Sequence, residues 1–264
     1  MPPNVLALGL QPKRLRQRSG EAGPQRIAGP VLVVIAGPNG SGKSELARQL
    51  VRLDYFGEVG CINPDDIAAQ MPGGWHNPDN FLPAAQKAEA IRQDYLARRQ
   101  SLVFETVFSS PGKVDFVRDA AKSGYFVHFL YICTDDPKIQ AARVCARVMQ
   151  GGHSVPIEKI ISRYFKSLDL AAQVLPYVSL AHFFDNTPEL TAPRLVVEAI
   201  PAQQSGSTYG VQPAWMAGVM ERMVQLGWAS GQSGTLSPEP SEPQDWIKSA
   251  DSKPRGADIT GNAK

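Results

Sequence analysis

Gly37-Pro38-Asn39-Gly40-Ser41-Gly42-Lys43-Ser44 combines the groups needed to hold a polyphosphate. Its glycines let successive backbone N–H groups turn toward one anion. Lys43 supplies an ammonium for the outer phosphates, and the Ser44 hydroxyl is a hard oxygen ligand suited to Mg2+. The stretch fits G-x-x-x-x-G-K-[ST]. It follows the apolar run VLVVIA (31–36) and opens an amphipathic helical pattern over 43–52. A chance glycine-rich turn is the plain alternative, but a buried strand before and a helix after are the context the pattern requires. The helix also directs its positive end at the same phosphates. ATP and Mg2+ are therefore the expected cofactors.

In a parallel sheet, ligands sit beyond the C-terminal ends of the strands, so the residue after each apolar run is a candidate for chemistry. After the run at 59–62 come Asn63, Pro64, Asp65 and Asp66. Asp65 reads as the base that takes a proton from an acceptor hydroxyl for in-line attack on the γ-phosphate, and Asp66 as a helix cap. Simple capping is the competing role for either. After the run at 101–104, Glu105 reads as binding a Mg2+-coordinated water or a substrate hydroxyl, with an ordinary exposed strand end as the plain alternative. Thr106, Ser109 and Ser110 offer hydrogen bonds to a polar ligand, or merely make turns.

After the run at 126–132, Asp136 caps a helix and Pro137 fills its first turn. Ala141, Val144, Cys145 and Val148 form its expected apolar stripe, with Arg143 and Arg147 on another face. Gly151-Gly152 ends this helix and Pro156 starts the next, which carries Ile157, Ile160, Ile161, Tyr164 and Leu168 on one face and Lys159, Arg163 and Lys166 off it. Such a pair reads as a lid that closes guanidinium groups onto a transferring phosphoryl group. A solvated basic face is the commoner fate of such charges. His153 sits at the hinge. His76, His128 and His182 have no partners at ligand spacing, so Ser44 alone is expected to meet a metal.

Strands alternate with helices from 31 to 200, the pattern of crossover units. It predicts an α/β fold: a three-layer sandwich of the P-loop kinase type, a mainly parallel five-stranded sheet with an edge strand at 194–200, and a helical lid after strand four. Residues 1–29 read as a flexible arm in which Lys13, Arg14, Arg16, Arg18 and Arg26 face Glu21 alone. Residues 30–200 form the expected domain. Residues 201–264 read as a linker, one helix at 214–229 and a disordered tail. That helix either docks a partner or covers the domain's own apolar surface.

The formal net charge of +2 over 264 residues argues against a nucleic-acid partner. Cys61, Cys133 and Cys145 lack paired or metal-like spacing, which fits a reducing, cytoplasmic setting. No apolar run reaches the length of a membrane span.

AGPNGSGKS, INPDDIA, FETVFSS, ARVCARVMQGGHSVPIEKIISRYFKSL and FFDNT, in that order, resemble the zeta-toxin family, also called UDP-N-acetylglucosamine kinase, over roughly residues 31–187. The likeness is to its short bacterial members. It implies a P-loop kinase that uses ATP and Mg2+ to phosphorylate a sugar hydroxyl of the nucleotide-sugar UDP-N-acetylglucosamine, and a small antitoxin partner. By motif, Lys43 binds phosphate, Ser44 binds Mg2+, Asp65 is the base, Glu105 a substrate-side acid and Arg147 a lid arginine. His153 stands where longer members have a second lid arginine, with Arg143 or Arg163 as its replacement. The rival readings are a kinase of a nucleoside, an antibiotic or a nucleic-acid 5′ end, and a nucleotide-dependent binding module.

Overall fold

A computed structural model describes residues 29–52, 61–152, 154–188 and 193–228. The basic arm, the C-terminal tail and His153 lie outside the described residues. The elements run β1 (Val31–Ala36), α1 (Lys43–Arg52), β2 (Cys61–Ile62), α2 (Pro64–Ala69), α3 (Phe81–Ala97), β3 (Leu102–Thr106), α4 (Pro111–Lys122), β4 (Phe126–Cys133), α5 (Pro137–Met149), α6 (Ile157–Val174), β5 (Leu180–Asp185), β6 (Arg194–Ile200), β7 (Ser205–Thr208) and α7 (Ala217–Gln225), with short 3-10 turns between some of them.

One seven-stranded sheet takes the order β2-β3-β1-β4-β5-β6-β7. The first five strands pair in parallel, as the alternation of strands and helices requires. β6 and β7 are added antiparallel. The sheet is thus wider than the sequence pattern suggests. β6 lies inside it, and the edge strand β7 comes from the segment expected to be a linker. Its SGST carries no apolar alternation, so periodicity did not reveal it.

The central strands are buried on both faces. Leu32, Val34, Val127, Phe129 and Tyr131 pack on the side of α4, α6 and α7. Val33, Ile35, Leu130 and Ile132 pack against Leu46, Ala47 and Leu50 of α1. Near-continuous apolar runs are the sequence signature of such two-sided burial. The segment after β7 belongs to the same core: Trp215, Met216, Val219, Met223 and Trp228 are all buried in it. Of the two roles expected for this helix, the structure shows the self-covering one.

The lid helices differ from their expected stripes. On α5, Val144 is buried, whereas Cys145 and Val148 are exposed. On α6, Ile160 and Tyr164 are buried, and Ile157 and Ile161 are exposed. α5 stands over the strand ends and meets α6 through a small cluster of Val144, Val155 and Ile160, so one narrow stripe suffices. Among the described residues no helix is long and apolar enough to cross a membrane.

Candidate active site

Gly37, directly after β1, has a φ of +148°, and a Cβ there would lie 2.1 Å from the Ile132 carbonyl oxygen of β4. Gly42 has φ +104°, and a Cβ there would lie 2.5 Å from Asn186 Nδ2. Asn186 in turn donates to the Ser41 carbonyl at 2.8 Å. The bend is therefore clamped between the ends of β4 and β5, in a backbone form that only glycine adopts freely. Gly37, Pro38 and Ser41 are buried behind the surface. Asn39, Gly40, Gly42, Lys43 and Ser44 line a cleft of about 850 Å3.

The cleft collects the other predicted residues. Asp65, Glu105, Thr106, Arg143, Arg147 and Arg163 line it, together with Asn63, Arg48 and Lys159. Lys43 is buried and donates to the Pro38 carbonyl at 2.7 Å. Burial lowers the pKa of its ammonium; Glu105 and Asp65 pull it back up, and Arg147 pushes it down again. Four candidates are thus close enough to feel one another. Glu105, at 7% exposure, accepts the Ser44 hydroxyl through Oε1 at 2.8 Å and the Asn63 amide through Oε2 at 3.0 Å. Burial raises its pKa, opposed by Lys43 and Ser44.

The lid residues reach the same space. Arg163 Nη1 lies 3.5 Å from Asn39 Oδ1 of the bend. At the end of α5, Gly151 is left-handed, with φ +84°, and the Gly152 N–H returns to the Arg147 carbonyl at 2.9 Å. The Gly-Gly pair is thus a C-terminal helix cap. A Cβ at Gly152 would lie 2.6 Å from Arg147 Cγ, so the second glycine also makes room for that side chain.

Two expectations need correcting. Asp66 does not cap α2; Asn63 does, its Oδ1 accepting the Asp65 N–H at 2.9 Å, and both aspartates stand in the first turn. Proline at the next position favours Asn63, the residue before it, in the extended form an N-cap needs. Nor are all the histidines isolated. His128 Nε2 and His182 Nδ1 are 2.8 Å apart, and His182 Nε2 is 3.0 Å from Glu198 Oε2. Parallel pairing of β4 with β5 brings residues together that are far apart in sequence. Asn63 and Asn186 were the residues sequence reasoning passed over. Their signals were their places in the quoted stretches INPDDIA and FFDNT, with Asn63 two residues ahead of Asp65.

The donors present suit the expected ligands. A glycine bend packed so closely that a Cβ would meet Ile132 or Asn186, with the buried Lys43 ammonium on the cleft beside it, fits an anion cradle. Ser44 and Glu105 are hard oxygen donors, the type Mg2+ takes. A strand, a glycine bend and a lysine-bearing helix at the ligand edge of a parallel sheet define a P-loop phosphotransferase.

The chain belongs to the zeta toxin family, whose family model, Zeta toxin, matches residues 15–177. An uncharacterized protein of Haemophilus influenzae is 29% identical over 136 residues, which is 50% of this chain and 91% of that protein. Among solved structures, AvrRxo1-ORF1:-ORF2 with ATP is similar at a TM-score of 0.51 and 18% identity, over 65% of this chain. The match spans 59% of that solved chain. The PezAT chromosomal toxin–antitoxin system of Streptococcus pneumoniae is similar at a TM-score of 0.50 and 14% identity, over 81% of this chain and 89% of that one. At these identities the structural likeness concerns the fold.

Proposed function

We propose that the protein transfers the γ-phosphate of ATP to a hydroxyl of a nucleotide-sugar, with UDP-N-acetylglucosamine as the acceptor, and acts as the toxin of a toxin–antitoxin pair. The observation that carries this reading is the single cleft in which Lys43, Ser44, Asp65, Glu105 and the lid arginines converge. A similar fold solved with ATP supports the donor, and family membership supports the acceptor and the small antitoxin partner.

In this mechanism the P-loop amides, Lys43, Arg143, Arg147 and Arg163 hold the phosphates and balance the charge of the transferring group. Asp65 removes the acceptor hydroxyl proton as that oxygen bonds to the γ-phosphorus. The bond from phosphorus to the β–γ bridging oxygen breaks, and ADP leaves. Ser44 would hold Mg2+ directly, with Glu105 fixing the serine; bound there, the ion would screen the charge between β- and γ-phosphates. Thr106 and the residue at 153 are proposed on the acceptor side.

The test is ATP consumption by the purified chain with a panel of sugar nucleotides, nucleosides, aminoglycosides and 5′-hydroxyl oligonucleotides. Turnover should depend on UDP-N-acetylglucosamine. Asp65→Asn should lower kcat by about 10²–10⁴-fold. Full turnover in that variant would remove Asp65 from the role of base, and preference for another acceptor would reassign the substrate.

A further inference from the structure

We propose that Asn63 is a positioning residue whose amide side chain continues the β2–β3 ladder beyond its last backbone pair and so fixes α2, with Asp65, against the P-loop. The proposal deepens the phosphotransfer reading and rests on it for its kinetic consequence.

β2 is only two residues long, and its register with β3 is Cys61↔Val103 and Ile62↔Phe104. The next pair in that register is Asn63 and Glu105. At this point the chain turns, because residue 64 is a proline and has no N–H to give. A side-chain bond takes over: Asn63 Nδ2 donates to Glu105 Oε2 at 3.0 Å. The other end of the same amide accepts the Asp65 N–H at 2.9 Å. Glu105 Oε1 receives the Ser44 hydroxyl at 2.8 Å. One line of hydrogen bonds therefore runs from the first turn of α1, across the end of β3, to the first turn of α2.

The chemistry at position 63 calls for an amide. It must accept from a backbone N–H and donate to a carboxylate at the same time. Aspartate and serine are N-caps of equal rank, so capping alone would not select asparagine. Aspartate would face Glu105 with a second carboxylate, and serine is too short to span the gap. A strand with two backbone pairs leaves α2 loosely registered, and misplacing a base by about 1 Å costs about 10²-fold in rate. The Asn63–Glu105 bond supplies the missing restraint.

The experiment uses the full chain and the variants Asn63→Ser, Asn63→Asp and the reciprocal double Asn63→Asp/Glu105→Gln. The double variant reverses donor and acceptor across the bond, yet leaves an acceptor for Ser44 and one for the Asp65 N–H. Without nucleotide or metal, amide hydrogen exchange over residues 65–67 should rise about tenfold in each single variant, the scale of one lost hydrogen bond, and fall back in the double. In turnover, Asn63→Ser should lower kcat about 10–100-fold, with nucleotide affinity changed less than about threefold, because the restraint acts on the base and not on Lys43. Unchanged exchange in the single variants, or no recovery in the double, overturns the proposal even if kcat falls. A wild-type chain without turnover on any acceptor would count against the phosphotransfer reading alone. The exchange pattern decides on Asn63 by itself.

Discussion

A methyl group on Gly37 would point at the Ile132 carbonyl from 2.1 Å, in a backbone form with φ +148°. Neither the bend nor β4 can yield without opening the cradle. Gly37→Ala should therefore cost ~1–3 kcal/mol of stability and abolish measurable nucleotide binding, read by denaturant unfolding and calorimetry. Lys43 shows a complementary economy. Its ammonium is buried, with a lowered pKa, and is kept near carboxylates at Glu105 and Asp65. A buried cation among acids is arranged to receive an anion with little reorganisation. The glycines and the lysine were legible because their spacing is local. Glu105 was legible as a charge after an apolar run, although β3 includes it. Its link to Ser44 spans 61 residues and was not.

At the scale of elements, the loop between α5 and α6 has a steric duty as well as a turning one. Gly152→Ala would place a Cβ 2.6 Å from Arg147 Cγ and 2.9 Å from the Arg147 carbonyl. The variant should lower kcat about tenfold or more by displacing that guanidinium, with a melting temperature close to the parent's. The segment from Trp215 to Trp228, which includes α7, behaves differently, because it is core. Trp215 is buried against Tyr131, at 5.9 Å between ring centroids. Trp215→Ala should cost about 3–5 kcal/mol in denaturant unfolding. Trp215, Val219 and Met223 stand at i, i+4 spacing, the pattern behind the expected helix at 214–229; α7 takes Ala217–Gln225, and Trp215 sits in the 3-10 turn before it. Nothing in SGST announced β7, because short edge strands are specified by the neighbour they pair with rather than by their own pattern.

At the scale of the molecule, the sheet buries a histidine that its mechanism does not use. His128 is fully buried, and burial together with neighbouring His182 holds its pKa well below the ordinary 6.5. His128 Nε2 lies 2.8 Å from His182 Nδ1, another imidazole, so a proton added to His128 would place a charge in the dry interior. The unfolded chain protonates near pH 6.5, whereas the folded chain resists. Stability is therefore complete above about pH 6.5 and declines as pH falls below it. Denaturant midpoints at pH 7.5 and 5.5 should show this loss. His128→Gln, which keeps a donor without a titrating group, should flatten it.

Asp185 joins the two ends of this architecture. It closes β5 beside the Asn186 that props the P-loop, and its carboxylate takes Arg194 from β6, Thr187 from its own turn and the indole of Trp215. A nascent chain leaving the ribosome presents Gly37–Ser44 first and Trp215 some 170 residues later. A translation product broken off before the tryptophan therefore carries the signature loop without the indole that Asp185 holds beside it.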